Sequence, residues 1–297
     1  MISLDRIIIS TIRSGKGDCI HINYDGHNII VDTGPTSTAG QFRKLCNSIL
    51  AVGEELDALI ITHYDDDHIG GILKVGDLGF KNIYFNAYDG SADNTQLSAI
   101  QNQRLFHVLP AAIVHSSVIA GNIIEIEGAK IIVYNPDDAV LADAKTQMKI
   151  ADEQLAATDD WIFSLDELME RPYPISDKSI SNRASIVFSF EYDDKKVLFC
   201  GDAWADSIPG GSYDLVKLPH HGSIRNISDK MIDSMDTHSF LICADGTRHP
   251  NKQTIAKLLS RKDSIIIYSN YEWWMNGFIR KEDMEYINSG RLVFRKT

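Results

Sequence analysis

Short runs rich in Ile, Val, Phe and Tyr recur along the chain, each bounded by Gly, Asp or Asn, and their length and composition predict β-strands. In the first half they are Arg6 to Thr11, Cys19 to Asn23, Asn28 to Asp32, Ala58 to Thr62, Asn82 to Phe85, Ile123 to Ile126 and Lys130 to Tyr134. The second half has Ser185 to Phe190, Lys196 to Cys200, Leu215 to Leu218, Phe240 to Ala244, Ser264 to Tyr268 and Arg291 to Phe294. Between them lie segments with helical spacing. Ser37 to Val52 opens on capping residues and carries Phe42, Leu45, Ile49 and Leu50; the others are His68 to Gly76, Thr95 to Arg104, Leu141 to Ala157, Ser228 to Met235 and Asn251 to Ser260. Strands outnumber helices, and helices separate groups of strands instead of alternating with them. That pattern predicts an α+β chain, a sandwich of two mixed sheets with helices outside, and argues against a doubly wound parallel sheet.

The stretch 137–182 is the least regular and holds Arg171-Pro172-Tyr173-Pro174; it reads as an insertion or lid over one face of a single domain spanning residues 1–297. The letters show no internal repeat. A net charge of −12 argues against a strong grip on long nucleic acid, because that needs cations to displace the counterions of phosphates. No apolar run reaches the roughly 18 residues that span a bilayer, and Met1 to Arg6 does not read as a secretory signal, so no membrane partner is expected and the location expected is cytoplasmic. Cys19, Cys46, Cys200 and Cys243 form no Cys-x-x-Cys pair and sit in or beside apolar stretches, as buried free thiols do.

One segment concentrates the chemistry. The apolar run Asp57 to Thr62 ends directly in His63-Tyr64-Asp65-Asp66-Asp67-His68-Ile69-Gly70-Gly71. Two imidazoles and three carboxylates so close need something positive between them, and a pair of divalent cations is the simplest answer. Imidazole nitrogen and carboxylate oxygen suit zinc, with manganese the alternative on the oxygen count. Gly70 and Gly71 let a helix begin hard against the site. A solvated acidic turn with a capping role is the competing account of the three aspartates.

His-x-Asp-x-Asp-His followed by Ile-Gly-Gly resembles the signature of metallo-β-lactamase-fold proteins, in particular the branch related to the metallohydrolase domain of the DNA-uptake protein ComEC/Rec2, where aspartate stands at the position of Asp65. Further segments follow in that branch's order: Gly15 to Asp18, Ile29 to Gly34, Lys130 to Pro136, Asn182 to Ser185, Val197 to Asp202, Leu218 to Ser223 and His249-Pro250. The resemblance implies a four-layer αββα sandwich. It also implies roles: His63 and Asp65 hold a first metal, Asp67 and His68 a second, Asp202 bridges them, and His221 completes the second, with adjacent His220 able to exchange places with it. Asp32 is expected against the metal-bound water, and His249 as a ligand or a donor to substrate oxygen. Asn182 stands where many relatives have a third histidine, so it orients a phosphate or carbonyl instead, and the first metal is expected to be the weaker.

Hydrolysis through a metal-bound hydroxide follows, since two cations bring a water from a pKa near 16 toward about 7. His220 or His249 is placed to protonate the leaving oxygen, Asp67 to act in catalysis as well as ligation, and Ser223 to donate to a substrate oxygen. The branch includes nucleases and phosphoesterases, so a phosphodiester or nucleotide-type substrate is expected, a small or short one at least as well as long nucleic acid, which the acidic chain does not favour. Lys217, Arg225, Arg183 and Arg248 flank these segments as local positive charge or as ordinary surface. A lactone or lactam hydrolase and a metal-stabilised, non-enzymatic binding module are the alternatives. Tyr271 to Met275 reads as core or interface packing, and a protein partner or homo-oligomer stays open.

Overall fold

The computed structural model describes residues 1–86, 104–146 and 160–297. The chain lays down one sheet before beginning the next. Strands β1 (Ile2–Leu4), β2 (Ile7–Thr11), β3 (Ile20–Tyr24) and β4 (His27–Val31) form an antiparallel meander. To β4 the strands β5 (Leu56–Ile61), β6 (Phe80–Phe85) and β7 (Val114–His115) add in parallel. The second sheet follows the same plan. Strands β8 (Ile123–Ile126), β9 (Ala129–Asn135), β10 (Val187–Tyr192) and β11 (Lys195–Phe199) are antiparallel. A small pair, β12 (Gly211–Ser212) with β14 (Met235–Asp236), lies apart. From β11 the sheet continues in parallel through β13 (Leu215–Lys217), β15 (Ser239–Ile242), β16 (Ile265–Ser269) and β17 (Leu292–Lys296).

The apolar pattern accounts for the layers. Between the sheets Ile9, Ile22, Val31 and Ile60 meet Phe188, Phe190, Val197 and Leu241. Behind the first sheet, α1 (Ala39–Ala51) and α2 (Asp66–Val75) bury Phe42, Cys46, Ile69 and Ile72 against Leu59 and Ile61. Every residue of β5 is therefore buried, as expected for a strand covered on both faces. Behind the second sheet the helix Lys252–Arg261 packs Ile255, Leu258 and Leu259 on Val216, Ile242 and Ile267. Helix, sheet, sheet, helix is the four-layer sandwich that the sequence predicts.

Every predicted strand is present, with ends shifted by one or two residues. The predicted helix Thr95 to Arg104 falls outside the described residues apart from its last position, and so does the later part of Leu141 to Ala157, whose visible portion is the helix Asp138–Thr146. Besides Asp138–Thr146, the described residues of the irregular stretch form the short helices Leu165–Glu170 and, at its end, Ile180–Arg183. Leu165–Glu170 begins with a capping box in which Ser164 and Glu167 satisfy each other's backbone N–H. All four cysteines are buried free thiols. Trp273 is buried against Phe278 and Phe294, so the aromatic run near the end closes the core. Among the described residues no helix is long and apolar enough to cross a membrane.

Candidate metal centre

The loops at one end of both sheets converge. After β5 the chain passes through Thr62 to His63, and α2 starts at Asp66. Asp65 holds the N-cap position, yet its side chain caps nothing: Oδ1 accepts from Ser181 Oγ at 3.0 Å and Oδ2 lies 3.7 Å from His63 Nε2. That orientation counts against the capping account of the acidic run. Asp66 turns outward and accepts from Thr36 Oγ1 at 2.8 Å, whereas Asp67 Oδ2 lies 3.6 Å from His221 Nε2. Gly70 and Gly71 abut the backbone of Pro35–Thr36 and Thr33, where a Cβ would collide, so α2 reaches its place only because those positions lack side chains.

The second sheet supplies the rest. Asp202 follows β11 through Gly201, and His220 and His221 follow β13 in left-handed backbone conformation, with φ of 46° and 53°. Two consecutive non-glycine residues in that region are strained, and here the strain sets both imidazoles toward Asp202. Around Asp202 the Nε2 atoms of His68, His221, His220 and His63 stand at 3.4, 3.6, 3.7 and 3.9 Å from a carboxylate oxygen.

The opposite nitrogen of each ring is anchored. His68 Nδ1 lies 2.8 Å from Asp32 Oδ2, His221 Nδ1 3.1 Å from Asp18 Oδ1, and His220 Nδ1 3.0 Å from Asn226 Oδ1. Thr62 Oγ1 donates to Asp32 at 2.7 Å, so it accepts from His63 Nδ1 at 3.2 Å. Oxygen acceptors at all four Nδ1 positions assign the proton there and leave four Nε2 lone pairs facing inward. This is the arrangement in which a carboxylate or carbonyl behind a histidine orients it toward a metal.

Those lone pairs and the carboxylates cannot face one another without positive charge. The Nε2 atoms of His63, His68 and His221 and Oδ1 of Asp202 are buried without a hydrogen-bond partner. In the metal-free state protons fill the role. Burial opposes charge on Asp202, but His221, His68 and His220 outweigh it and hold the carboxyl well below the usual carboxylate range. Burial would likewise lower His221, yet Asp202 and Asp18 raise it to about 9, and against the same burial Asp202 and Asp32 hold His68 well above the ordinary histidine value. A cation entering must displace these protons.

The donor set suits a divalent ion. Ligand atoms of Asp18, His68, Asp202 and His221 all lie within 4.8 Å of one another. Asp18 is nevertheless a poor direct ligand, since one oxygen meets His221 Nδ1 and the other Lys217 Nζ. Asp67, on the Nε2 side of His221, takes its place in a chemically sensible set. A second grouping at the far end, His27, Asp57 and Glu127, is weaker: Asp57 already accepts from Asn28 N and Lys81 Nζ, and Glu127 is exposed.

The remaining expected residues sit around this core. Asp32, buried with φ of 57°, contacts His68 and both donors of Thr62. Asn182 donates to Asp177 Oδ2 at 2.7 Å, lies 3.4 Å from His220 Nδ1 and keeps Oδ1 buried without a partner. The His249 ring lies 5.0 Å from that of His220, and burial first, then the cationic His220 and His221, hold it well below the ordinary histidine range, hence neutral. Ser223 is drawn into its own turn, its Oγ accepting from Arg225 N at 3.3 Å. Lys217 is buried and faces Asp18.

Asp18, Thr62, Asn226 and Asp177 carry no individual role by sequence, and Lys217 only that of local positive charge or ordinary surface. Asp18 ends the segment Gly15 to Asp18, Thr62 ends the apolar run before His63, Lys217 lies in Leu215 to Leu218 and Asp177 in the irregular stretch, whereas Asn226 lies in none of the segments named above.

The model of the metallo-beta-lactamase superfamily matches residues 13–233. No curated protein matches the chain. Solved structures similar to it include the metallo-beta-lactamase fold protein YhfI from Bacillus subtilis, 12% identical over 98% of both chains with a TM-score of 0.48. The zinc-bound PqqB from Methylobacterium extorquens is 12% identical over 94% of this chain and 85% of its own, with a TM-score of 0.47. A diphosphatase from the PhnP family is 14% identical over 97% and 93%, with a TM-score of 0.42.

Proposed function

Because the chain belongs to the metallo-beta-lactamase superfamily and gathers a His/Asp cluster fit for divalent cations, we propose that it is a metallohydrolase that cleaves phosphodiester bonds. The observation carrying this is the ring of four inward Nε2 lone pairs around Asp202, each backed at Nδ1 by an oxygen. The substrate class rests on the resemblance of the site segments to the ComEC/Rec2 branch, and a nucleotide-sized diester fits the acidic chain best.

In this reading Asp67, His68, His221 and Asp202 hold one cation and His63, Asp65, His220 and Asp202 the other, zinc or manganese. His220 is assigned to the first position because it adjoins Asn182, whose neighbour Ser181 holds Asp65. Bound there, the cations supply an acidified water near neutral pH and positive charge against the developing oxyanion. The protein's own work is positional. Asp32, Thr62 and Asn226 keep the imidazoles in one tautomer. Neutral His249 offers a ring N–H at the edge of the cluster to a substrate or leaving oxygen. The segment 137–182 acts as a lid or insertion on the one domain, and its end at Asp177 to Asn182 closes over His220.

The test is elemental analysis of the purified protein followed by hydrolysis of bis(p-nitrophenyl) phosphate under zinc and manganese. Parent activity is expected, and Asp67→Ala and Asp202→Ala are expected to lose it by about 100-fold or more with the fold retained. Unaltered turnover in both variants refutes the assignment. Faster turnover of a chromogenic lactone moves the substrate to cyclic esters, and retained metal without any hydrolysis points to a binding module.

A further inference from the structure

Directly beside the cluster, the mechanism leaves the buried charges of Asp18 and Lys217 without a task. Asp18 lies in the loop after β2, and Lys217 is the last residue of β13. Each side chain is at most 2% exposed. Lys217 Nζ pairs with Asp18 Oδ2, donates to Gly201 O at 3.0 Å and stands 3.9 Å from Asp202 Oδ1. The other Asp18 oxygen meets His221 Nδ1 at 3.1 Å. The backbone of Asp18 is fixed as well: its N–H donates to Asp67 O at 3.1 Å and its carbonyl accepts from Gly34 N at 2.7 Å.

Burying an ion pair costs desolvation that the attraction commonly does not recover, so stability alone is a weak account of this one. Its geometry offers another. Asp32, behind His68, satisfies its carboxylate with neutral donors from Thr62 besides the imidazole. Asp18, behind His221, has Lys217 in that place. Without it, Asp18 would carry an unpaired buried carboxylate oxygen in a grouping whose ligand atoms, one of its own among them, lie within 4.8 Å of one another.

We propose that Asp18 and Lys217 form a positioning pair for the cation held by His221, an inference that rests on the metallohydrolase reading above. Asp18 fixes His221 with Nδ1 protonated and Nε2 aimed between Asp67 and Asp202, while Lys217 occupies the second oxygen and keeps Asp18 out of the ligand set. The pair thereby sets affinity for the ion without touching it.

The experiment compares two double variants of the full chain. D18N/K217Q keeps an acceptor for His221 in a neutral amide pair; D18L/K217M removes acceptor and charge together. Zinc affinity by competition with a chromophoric chelator is expected to stay within about threefold of the parent in D18N/K217Q and to fall about 10- to 100-fold in D18L/K217M. Metal-free melting temperatures of the two variants, measured alongside, separate this from a folding defect. Equal zinc affinity in the two folded variants overturns the proposal. So does 15N NMR of the zinc-loaded parent if His221 binds through Nδ1, a result that needs no variant. A parent that holds neither zinc nor manganese instead overturns the functional reading itself, and the pair's role with it.

Discussion

The two sheets are built to one plan, four antiparallel strands and then parallel ones, and each delivers an aspartate after its fourth strand and histidines after its fifth. Yet the equivalent residues do different work. Asp32, after β4, stands behind His68 and is filled by Thr62 and that imidazole, whereas Asp202, after β11, faces four imidazoles at the centre. The same location in a fold thus yields an orienting carboxylate in one half and a central one in the other. The difference lies in what each loop meets: β4 runs into the glycine-lined start of α2, and β11 opens onto the left-handed turn at His220 and His221.

The sharpest way to break this comparison is to neutralise the two aspartates in turn. Asp202→Asn is expected to abolish metal retention and lower phosphodiesterase activity by about 100-fold or more, measured by elemental analysis and turnover. Asp32→Asn, acting only through His68, is expected to weaken zinc binding about 10- to 100-fold while leaving bound metal detectable. Equal losses would show that the two positions are equivalent after all. A smaller effect tests the loop that separates them. Gly71→Ala pushes a methyl into Thr33 O and is expected to cost about 1–3 kcal/mol in denaturant unfolding, since the clash is with backbone.

The smallest expected effect is in acid. His21, on the third strand of the first sheet, is held below the ordinary histidine value by burial, against the hydrogen bond to Asn28. Below the unfolded-state value of about 6.5 the unfolded chain then binds more protons than the folded one. His21 therefore costs no stability above that pH and lowers it as the pH falls further. The third strand of the second sheet carries buried Ser189 in its interior and no histidine. His21→Gln is expected to flatten the decline in melting temperature between pH 6.5 and 5; an unchanged slope would place the acid sensitivity elsewhere.

The strands and layers were legible because each rests on a local apolar run: β5 is a continuous buried stretch, and β9 alternates by burial. The cluster His63 to His68 was legible for the same reason, since its residues are neighbours in the chain. The pair Asp18 and Lys217 was not. Its partners come from different sheets, and nothing near Lys217 in the sequence distinguishes a buried lysine from a surface one. The turn at His220 was equally hidden, because a left-handed backbone at a histidine leaves no mark in composition. The helix Leu165–Glu170 did carry a signal, Ser164 three residues before Glu167, in a stretch that reads as irregular.

The contacts His68 to Asp202 and His221 to Asp18 each join one sheet to the other. Neither sheet can assemble the centre alone, so during refolding it must come together after the sheets dock, among the most sequence-distant contacts to form. If the proposed metal reading holds, a divalent cation added to a refolding chain would be captured late, in step with final docking rather than with early secondary structure, and would serve as a clock for the last event of maturation.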